Sequence, residues 1–294
     1  MEKGLVINNI RSEKTSFPVL VYHQIGRETS LDYLMITKKM FVEQIHYIRK
    51  HYHPIHLSAL LEKMSRSEPI TPDAIAITFD DGYADTFSEA FPVLREYKIP
   101  ATLFITTGFV DGLKDGPRKA KMLSWKMIRQ MMLSGIIECG AHTVTHPNLR
   151  HLSLKKARCE IVESKKRIEE KIESPVKTFA YPYGNSRSFS KQIQMLVQEA
   201  GYLGACTTLP GQNSSSTNPF SLRRISLTKS QIRFFALQFS ELSNGILPAH
   251  EISEFRGINK KVLGLWRKRY QWLEKHLKRD NFLWKSGKDA EAVA

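Results

Sequence analysis

Two adjacent carboxylates, Asp80 and Asp81, end an apolar run and precede a glycine. Successive side chains at a strand end point in different directions, so one aspartate can bind a metal while its neighbour faces a water on that metal. The same Asp-Asp-Gly sequence is also typical of a turn that caps a helix starting near Ala84. The pair therefore indicates either a metal hydrolase site or a helix cap.

Two histidines, His142 and His146, follow a second short apolar run and precede Pro147. Their spacing lets both imidazoles face one point from a helical turn. Together with one aspartate they would form a two-histidine, one-carboxylate site with open coordination positions, which is typical of a catalytic metal. The alternative is a pair of histidines on an ordinary polar surface.

A parallel α/β fold would position these groups, because short β-rich runs alternate with helical patterns along most of the chain. Helical periodicity is found around residues 41–48, 125–132 and 152–172. In an α/β barrel, residues just past the carboxyl ends of the strands converge on one face. Four further side chains lie in or at the ends of predicted strands: His23, Tyr181, Tyr183 and Arg224. The predicted strands are residues 18–23, 74–80, 101–107, 137–142, 177–183, 204–208 and 222–227.

The length and composition suit a globular barrel followed by a tail. The chain has 294 residues, of which 41% are hydrophobic and 25% charged, which argues against disorder and against a membrane-embedded body. Cys139, Cys159 and Cys206 show no paired spacing, so neither a disulfide framework nor a thiolate zinc site is expected. The first residues lack the apolar run of a secretory signal. We therefore expect a cytoplasmic protein, or a secreted one if a leader is missing from this sequence.

The predicted domains are an N-terminal extension, residues 1–17, a barrel, residues 18–245, and a basic, aromatic helical extension, residues 246–294. In this last segment, apolar residues between 262 and 277 form one helical stripe surrounded by lysines and arginines. Such a helix could lie on an anionic membrane at the inner face, or dock on the barrel with a solvated basic side. The net charge of +15 suggests an anionic partner without choosing its kind. The polar segment 211–219 is predicted to be a loop.

Three segments resemble the polysaccharide deacetylase family that carries the NodB-homology domain. They are Thr-Phe-Asp-Asp-Gly-Tyr at 78–83, His-Thr-Val-Thr-His at 142–146 and Phe-Ala-Tyr-Pro-Tyr-Gly at 179–184, in the family's order. The resemblance covers roughly residues 23–242. It implies a distorted (β/α) barrel with a single catalytic domain and an activity that removes N-acetyl groups from a sugar.

The resemblance also implies a role for each matching residue. Asp80 would be the general base, while Asp81, His142 and His146 would hold a divalent metal. Zinc is the expected ion, and cobalt, nickel or iron would also suit this ligand set. The backbone amide of Tyr183 would stabilise the oxyanion formed when a metal-activated water attacks the acetamide.

The chain departs from the family's common pattern in two places. The usual Leu-x-His segment near the C-terminus has one residue too many at 247–250, whereas residues 20–25 and 41–45 are similar to the permuted branch that includes biofilm poly-N-acetylglucosamine deacetylases. In that branch the acid comes from the first strand, which implies His23; the alternative is a histidine that only hydrogen-bonds inside the barrel mouth. The arginine that often precedes the third segment is missing, and Arg224 is the expected replacement that orients Asp80, with Arg223 or neither as alternatives.

The expected substrate is an N-acetylated polysaccharide, oligosaccharide or lipid-linked saccharide, with Tyr181 and Tyr183 at the substrate. A metal-dependent amidase acting on a small non-sugar amide is the alternative, because the same metal and base would cut any accessible acetamide. A non-catalytic module that binds nucleic acid through the basic surface is a third hypothesis. The chain has no nucleic-acid-binding motif, so we expect no nucleic acid partner.

Overall fold

The computed structural model describes residues 16–26 and 34–227. The strands are β1 Ser16–Phe17, β2 Val19–Tyr22, β3 Gln24–Gly26, β4 Met35–Thr37, β5 His53–Pro54, β6 Ala74–Phe79, β7 Ala101–Ile105, β8 Ile137–Ala141, β9 Thr178–Ala180, β10 Gly204–Cys206, β11 Asn213–Ser214 and β12 Ile225–Ser226. The α-helices are α1 Lys38–His51, α2 Leu57–Ser65, α3 Phe91–Tyr97, α4 Thr107–Val110, α5 Trp125–Met132, α6 Leu154–Ile172 and α7 Lys191–Glu199.

The main sheet is parallel and has the strand order β10-β9-β8-β7-β6-β2-β12, with β5 pairing at the start of β6. Its two edges approach each other. The Thr207 amide donates to the Leu222 carbonyl at 2.8 Å, and the Leu222 amide donates to the Ala205 carbonyl at 2.9 Å. The sheet therefore curls into a distorted barrel, and each of the seven predicted strands contains one of its strands.

Alternation along the strands sends one set of side chains into the barrel and the other toward the helices. In β6, Ile75, Ile77 and Phe79 pack in the outer core, whereas Ala74 and Ala76 belong to a second cluster. That second cluster is the barrel interior, which α2 closes with Leu57, Leu60 and Leu61. A side chain at an even position of this strand therefore points inward, and so does Asp80, the next even position after Thr78.

The predicted helices are confirmed in α1, α5 and α6. The longest, α6, begins after Ser153, whose hydroxyl accepts a hydrogen bond from the Lys156 amide. It buries Ala157, Ile161 and Ile168 against the sheet and exposes the charged side. Among the described residues no helix is long and apolar enough to cross a lipid bilayer.

The structure adds short pairings that the sequence pattern did not predict. The segment 211–219, predicted to be a loop, contains β11, which pairs antiparallel with β1. The predicted N-terminal extension, residues 1–17, therefore ends in a paired strand, and its other residues lie outside the described part of the chain. The predicted C-terminal helix and the segment 247–250 also lie outside it, so the three-part domain division stays a prediction.

Candidate active site

The Asp-Asp pair lies at the carboxyl end of β6, where the backbone turns sharply. The Asp80 amide still continues the sheet by donating to the Tyr22 carbonyl at 3.0 Å, whereas Asp81 has the left-handed φ of 72°. This turn separates the directions of the two carboxylates. The following helical segment starts at Thr86 with Asp85 as its N-cap, so the alternative reading of the Asp80 and Asp81 pair as the helix cap is wrong.

Asp81, His142 and His146 form one cluster, with a ligand atom from each within 4.8 Å of the others. The Asp81 Oδ1 atom lies 3.4 Å from His142 Nε2 and 3.3 Å from His146 Nε2. This oxygen is buried and has no hydrogen-bond partner in the described part of the chain. A buried carboxylate oxygen without a hydrogen bond costs free energy unless a cation or donor lies against it. The three residues therefore suit a divalent metal.

The tautomer of His142 leaves one ring nitrogen available to a metal. Its Nδ1 atom lies 2.8 Å from the Ala180 carbonyl oxygen, which can only accept a hydrogen bond. The proton of neutral His142 is therefore assigned to Nδ1, and Nε2 keeps its lone pair on the side of Asp81. Proteins usually orient a metal-binding imidazole by a hydrogen bond from the ring nitrogen that does not bind the metal.

Charges within the cluster shift the pKa values of Asp81 and His142. Burial disfavours the Asp81 carboxylate, but the nearby imidazoles of His142 and His146 outweigh burial and hold the pKa of Asp81 well below its ordinary value. Burial likewise opposes the charged form of His142, yet Asp81 and Asp80 outweigh it and raise the pKa of His142. A cation that binds here would take the place of that proton, because a metal-binding imidazole must be neutral.

Arg224 binds Asp80 through both ends of its guanidinium group. Two Nη atoms donate to the two carboxylate oxygens at 2.7 Å each, and neither side chain is more than 2% exposed. Burial would raise the pKa of Asp80, but the charges of Arg224 and His142 and the Arg224 hydrogen bonds hold it below its ordinary value. Of the two predicted alternatives the structure places Arg224 on Asp80, whereas Arg223 donates to the Pro210 carbonyl at 3.0 Å.

The prediction from sequence missed the two residues that hold Arg224 in place. Its Nε atom donates to the Thr207 carbonyl at 2.7 Å, and an Nη atom lies 3.1 Å from the Thr78 hydroxyl oxygen, which itself donates to the Leu20 carbonyl. Thr78 could have been found, because it lies two residues before Asp80 and strand alternation puts both on one face. The Thr207 contact has no local sequence signal.

His23 lies just after β2, with Nε2 3.9 Å from Asp80 Oδ2 and 14% of its side chain exposed. Burial lowers the pKa of His23, although Asp80 and Asp81 partly oppose this effect. A lowered pKa makes the protonated form of His23 a stronger acid and also reduces its share near neutral pH. The structure thus brings His23 to the same end of the barrel as the Asp-Asp pair.

The two tyrosines of the third segment have different surroundings. Tyr183 is 53% exposed, has the left-handed φ of 63°, and its ring centre lies 5.0 Å from that of His146. Within residues 16–26 and 34–227, no carbonyl accepts a hydrogen bond from its amide. Tyr181 is fully buried, stacks on Phe189 and donates its hydroxyl hydrogen to the Phe220 carbonyl at 3.0 Å. Its side chain packs in the same apolar cluster as Phe179, and a contact between Tyr181 and substrate stays a prediction.

The comparisons with known proteins agree with this geometry. Residues 67–205, which contain the Asp-Asp pair, both histidines and the third segment, match the polysaccharide deacetylase family. Within the barrel, residues 67–205 carry this family's domain. The family resemblance given by the three sequence segments is thereby confirmed.

Two similar proteins come from Bacillus subtilis and Staphylococcus aureus. YxkH of Bacillus subtilis, whose name describes it as a candidate polysaccharide deacetylase, is 26% identical over 218 residues, which is 74% of this chain and 73% of YxkH. The poly-beta-1,6-N-acetyl-D-glucosamine N-deacetylase of Staphylococcus aureus is 26% identical over 189 residues. That match covers 62% of this chain and 64% of the staphylococcal deacetylase, so the chain spans less than two thirds of that relative.

Solved deacetylase structures share the fold. The Streptococcus pyogenes deacetylase PplD superposes with a TM-score of 0.68 at 24% identity, covering 76% of this chain and 97% of PplD. A polysaccharide deacetylase from Bacillus cereus superposes with a TM-score of 0.64 at 25% identity, covering 76% of this chain and 68% of that one. The predicted distorted barrel of the deacetylase type is thereby confirmed.

Proposed function

We propose that this chain is a metal-dependent hydrolase that removes N-acetyl groups from an N-acetylated saccharide. The proposal rests on two neighbouring sites at one end of the barrel. Asp81, His142 and His146 offer three ligand atoms to a cation, and beside them Asp80 is held ionised by Arg224. A carboxylate that is fixed, ionised and next to a cation site is the arrangement that base-catalysed amide hydrolysis needs.

Asp81, His142 and His146 would hold the divalent metal, which would supply Lewis-acid polarisation of the acetamide carbonyl and a lowered pKa of a water. Zinc is the default for two imidazoles and one carboxylate, and cobalt, nickel or iron would serve as well. Asp80 accepts the proton of the attacking water. Arg224 bonds both carboxylate oxygens and so fixes the orientation of Asp80, while each oxygen keeps a second lone pair that can accept the proton.

The other predicted groups have complementary tasks. The Tyr183 amide donates a hydrogen bond to the oxyanion of the tetrahedral intermediate, and it is available for this role because no carbonyl of the described residues accepts from it. His23 donates a proton to the departing amine nitrogen, from a position 3.9 Å from Asp80. The partly exposed edges of His23, His146 and Tyr183 mark the side from which substrate enters.

The name of the staphylococcal relative supports an N-acetylated sugar as the substrate class. The test is acetate release from N-acetylated oligosaccharides and from lipid-linked N-acetyl sugars, with the protein loaded with zinc. Asp80→Asn keeps the size of the side chain but removes the base. We expect it to reduce kcat roughly 100-fold to 10,000-fold while zinc still binds.

The matched control is Asp115→Asn, which changes an exposed aspartate and should leave acetate release unchanged. Zinc binding without acetate release from any of these sugars would overturn the sugar substrate, and release from small N-acetyl amino compounds would then favour an amidase. Equal rates for wild type and Asp80→Asn would overturn the role of Asp80.

A further inference from the structure

The loop His142–His146, which carries both histidines, is bonded on one side to the segment after β7. The Thr143 carbonyl accepts a hydrogen bond from the Thr107 amide at 3.2 Å, and the Val144 carbonyl accepts one from the Gly108 amide at 2.8 Å. These bonds satisfy carbonyl oxygens of the loop. They do not use the amide hydrogens of the loop. Those amides need acceptors of their own when the loop is shielded from water.

Glu160 supplies the acceptors from the other side of the loop. This residue lies on α6, and its Oε2 atom accepts hydrogen bonds from the Val144 amide at 2.8 Å and the Thr145 amide at 2.9 Å. Its Oε1 atom accepts a third bond, from the Thr145 hydroxyl at 2.7 Å. Two consecutive amides that converge on one carboxylate oxygen form an anion-binding nest, and bonds to an ionised acceptor are the stronger kind.

The loop requires such support because its backbone is unusual. Thr143 and His146 both have a left-handed φ, 69° and 56° respectively. These values are unfavourable for residues with a Cβ, and a β-branched residue such as Thr143 rarely adopts them. The two bonded amides lie between these two residues, so the Glu160 carboxylate fixes the part of the chain that sets the distance between the two imidazoles.

We propose that Glu160 is a positioning residue of the metal site. It holds the loop so that His142 and His146 present their Nε2 atoms to the same point as Asp81, without touching metal or substrate itself. This inference rests on the proposed metal-dependent function, because it assigns Glu160 a role in the affinity for the metal.

The chemistry of the three bonds predicts an order among Glu160 variants. Glu160→Ala removes all three acceptor contacts. Glu160→Gln can keep them, since its amide oxygen can accept from the two backbone amides while its NH2 group donates to the Thr145 hydroxyl oxygen, which can accept as well as donate. The glutamine variant should therefore rescue most of what the alanine variant loses.

The primary experiment measures zinc affinity by competition with a chromophoric chelator on the full chain. We expect Glu160→Ala to bind zinc roughly 10-fold to 100-fold more weakly than wild type, as for other residues that orient metal ligands. Glu160→Gln should lie close to wild type. The matched control is Glu163→Ala, one turn further along α6, whose carboxylate instead accepts a hydrogen bond from Arg167 at 3.0 Å. It should bind zinc like wild type.

A second readout does not depend on metal. In chelator, the Val144 and Thr145 amides of Glu160→Ala should exchange with solvent faster than in wild type, because they have lost their acceptor, whereas Glu163→Ala should leave their exchange unchanged. If Glu160→Ala does not fold, Thr145→Val takes its place. That variant removes only the hydroxyl bond and should lower zinc affinity by a smaller factor.

The outcomes separate the two proposals. Zinc binding by His142→Ala that equals wild type would overturn the metal site itself, whatever the exchange rates show. If His142→Ala loses zinc binding but Glu160→Ala binds zinc like wild type, the role of Glu160 is overturned and the proposed metal site is kept. If Thr145→Val has to replace Glu160→Ala, wild-type zinc affinity in Thr145→Val would overturn the role of Glu160.

Discussion

Replacing Arg224 with methionine should destabilise the protein more than any neighbouring arginine substitution. Arg224 is completely buried and Asp80 is 2% exposed, and two bonds of 2.7 Å join them. Removing one partner of such a pair leaves the other charge buried without compensation, which costs about 3–5 kcal/mol. The freed Thr207 carbonyl adds to this cost, because Arg224 Nε donates to it at 2.7 Å.

The control is Arg223→Met. Arg223 is exposed and donates a hydrogen bond to the Pro210 carbonyl, so we expect a change of about 0.5 kcal/mol or less. The measurement is urea unfolding near neutral pH, with a chelator present so that metal binding does not contribute. Values for Arg224→Met and Arg223→Met that agree within about 1 kcal/mol would refute the claim that the buried pair stabilises the barrel.

The pH dependence provides a second check on the same reasoning. In wild type the folded pKa of Asp80 is depressed, so its contribution to stability is present above the unfolded value, near 3.9, and is lost as the pH falls through the lower folded value. Without Arg224, burial is opposed less and the pKa of Asp80 rises. The cost of Arg224→Met should then shrink as the pH falls from about 7 toward about 4. A cost that stays constant over this range would contradict the assignment to the charge of Asp80.

The pH profile of activity should also show the raised pKa of Asp80 in Arg224→Met. Asp80 with a raised pKa keeps its proton at a higher pH, so the acidic limb of the kcat/KM profile of Arg224→Met should move to higher pH. A residue with only a structural role would lower the amount of folded enzyme without moving this limb.

Two further predictions concern residues around the site. Tyr181→Phe removes the hydroxyl that donates to the Phe220 carbonyl, so it should cost about 0.5–1.5 kcal/mol in urea unfolding and leave KM unchanged; a higher KM at unchanged stability would return Tyr181 to the substrate. Gly108→Ala would place a Cβ atom 2.5 Å from the Val144 carbonyl oxygen, and we expect it to cost about 1–3 kcal/mol and to weaken zinc binding by shifting the histidine loop. Gly135→Ala, at a position with φ of 71° and no atom within 4 Å of the added Cβ, should lower stability while zinc affinity stays at the wild-type value.

The strands and the cluster of site residues could be predicted because short-range rules govern them. Apolar runs with abrupt polar ends mark strands, and in parallel strands those ends meet at one edge, which brings Asp81 near His142 without knowledge of the strand order. The burial of Tyr181 could also have been predicted. Strand alternation puts Tyr181 on the same face as Phe179, and both side chains pack in the outer core.

Contacts between distant segments could not be predicted in this way. Strand order, the bonds between Leu222 and the end of β10, and the distance of Glu160 from the histidine loop depend on how the sheet curls and on where α6 crosses it. Neither Thr207 nor Glu160 has a local pattern that distinguishes it from an ordinary polar residue. A charged residue on a helix usually faces solvent, and only the convergence of two loop amides on Glu160 gives it a different role.

Backbone conformation explains why this site needs support from several elements at once. Of the nine non-glycine residues with positive φ in the described part of the chain, four are Asp81, Thr143, His146 and Tyr183, which all lie in the site. Each left-handed residue costs about 1–2 kcal/mol, so the site would relax if nothing opposed it. The Gly108 amide and the Glu160 carboxylate oppose it around the histidines by bonding the loop from two sides. In the proposed metal site, variants that weaken these bonds should therefore lower metal affinity even when every ligand residue is intact.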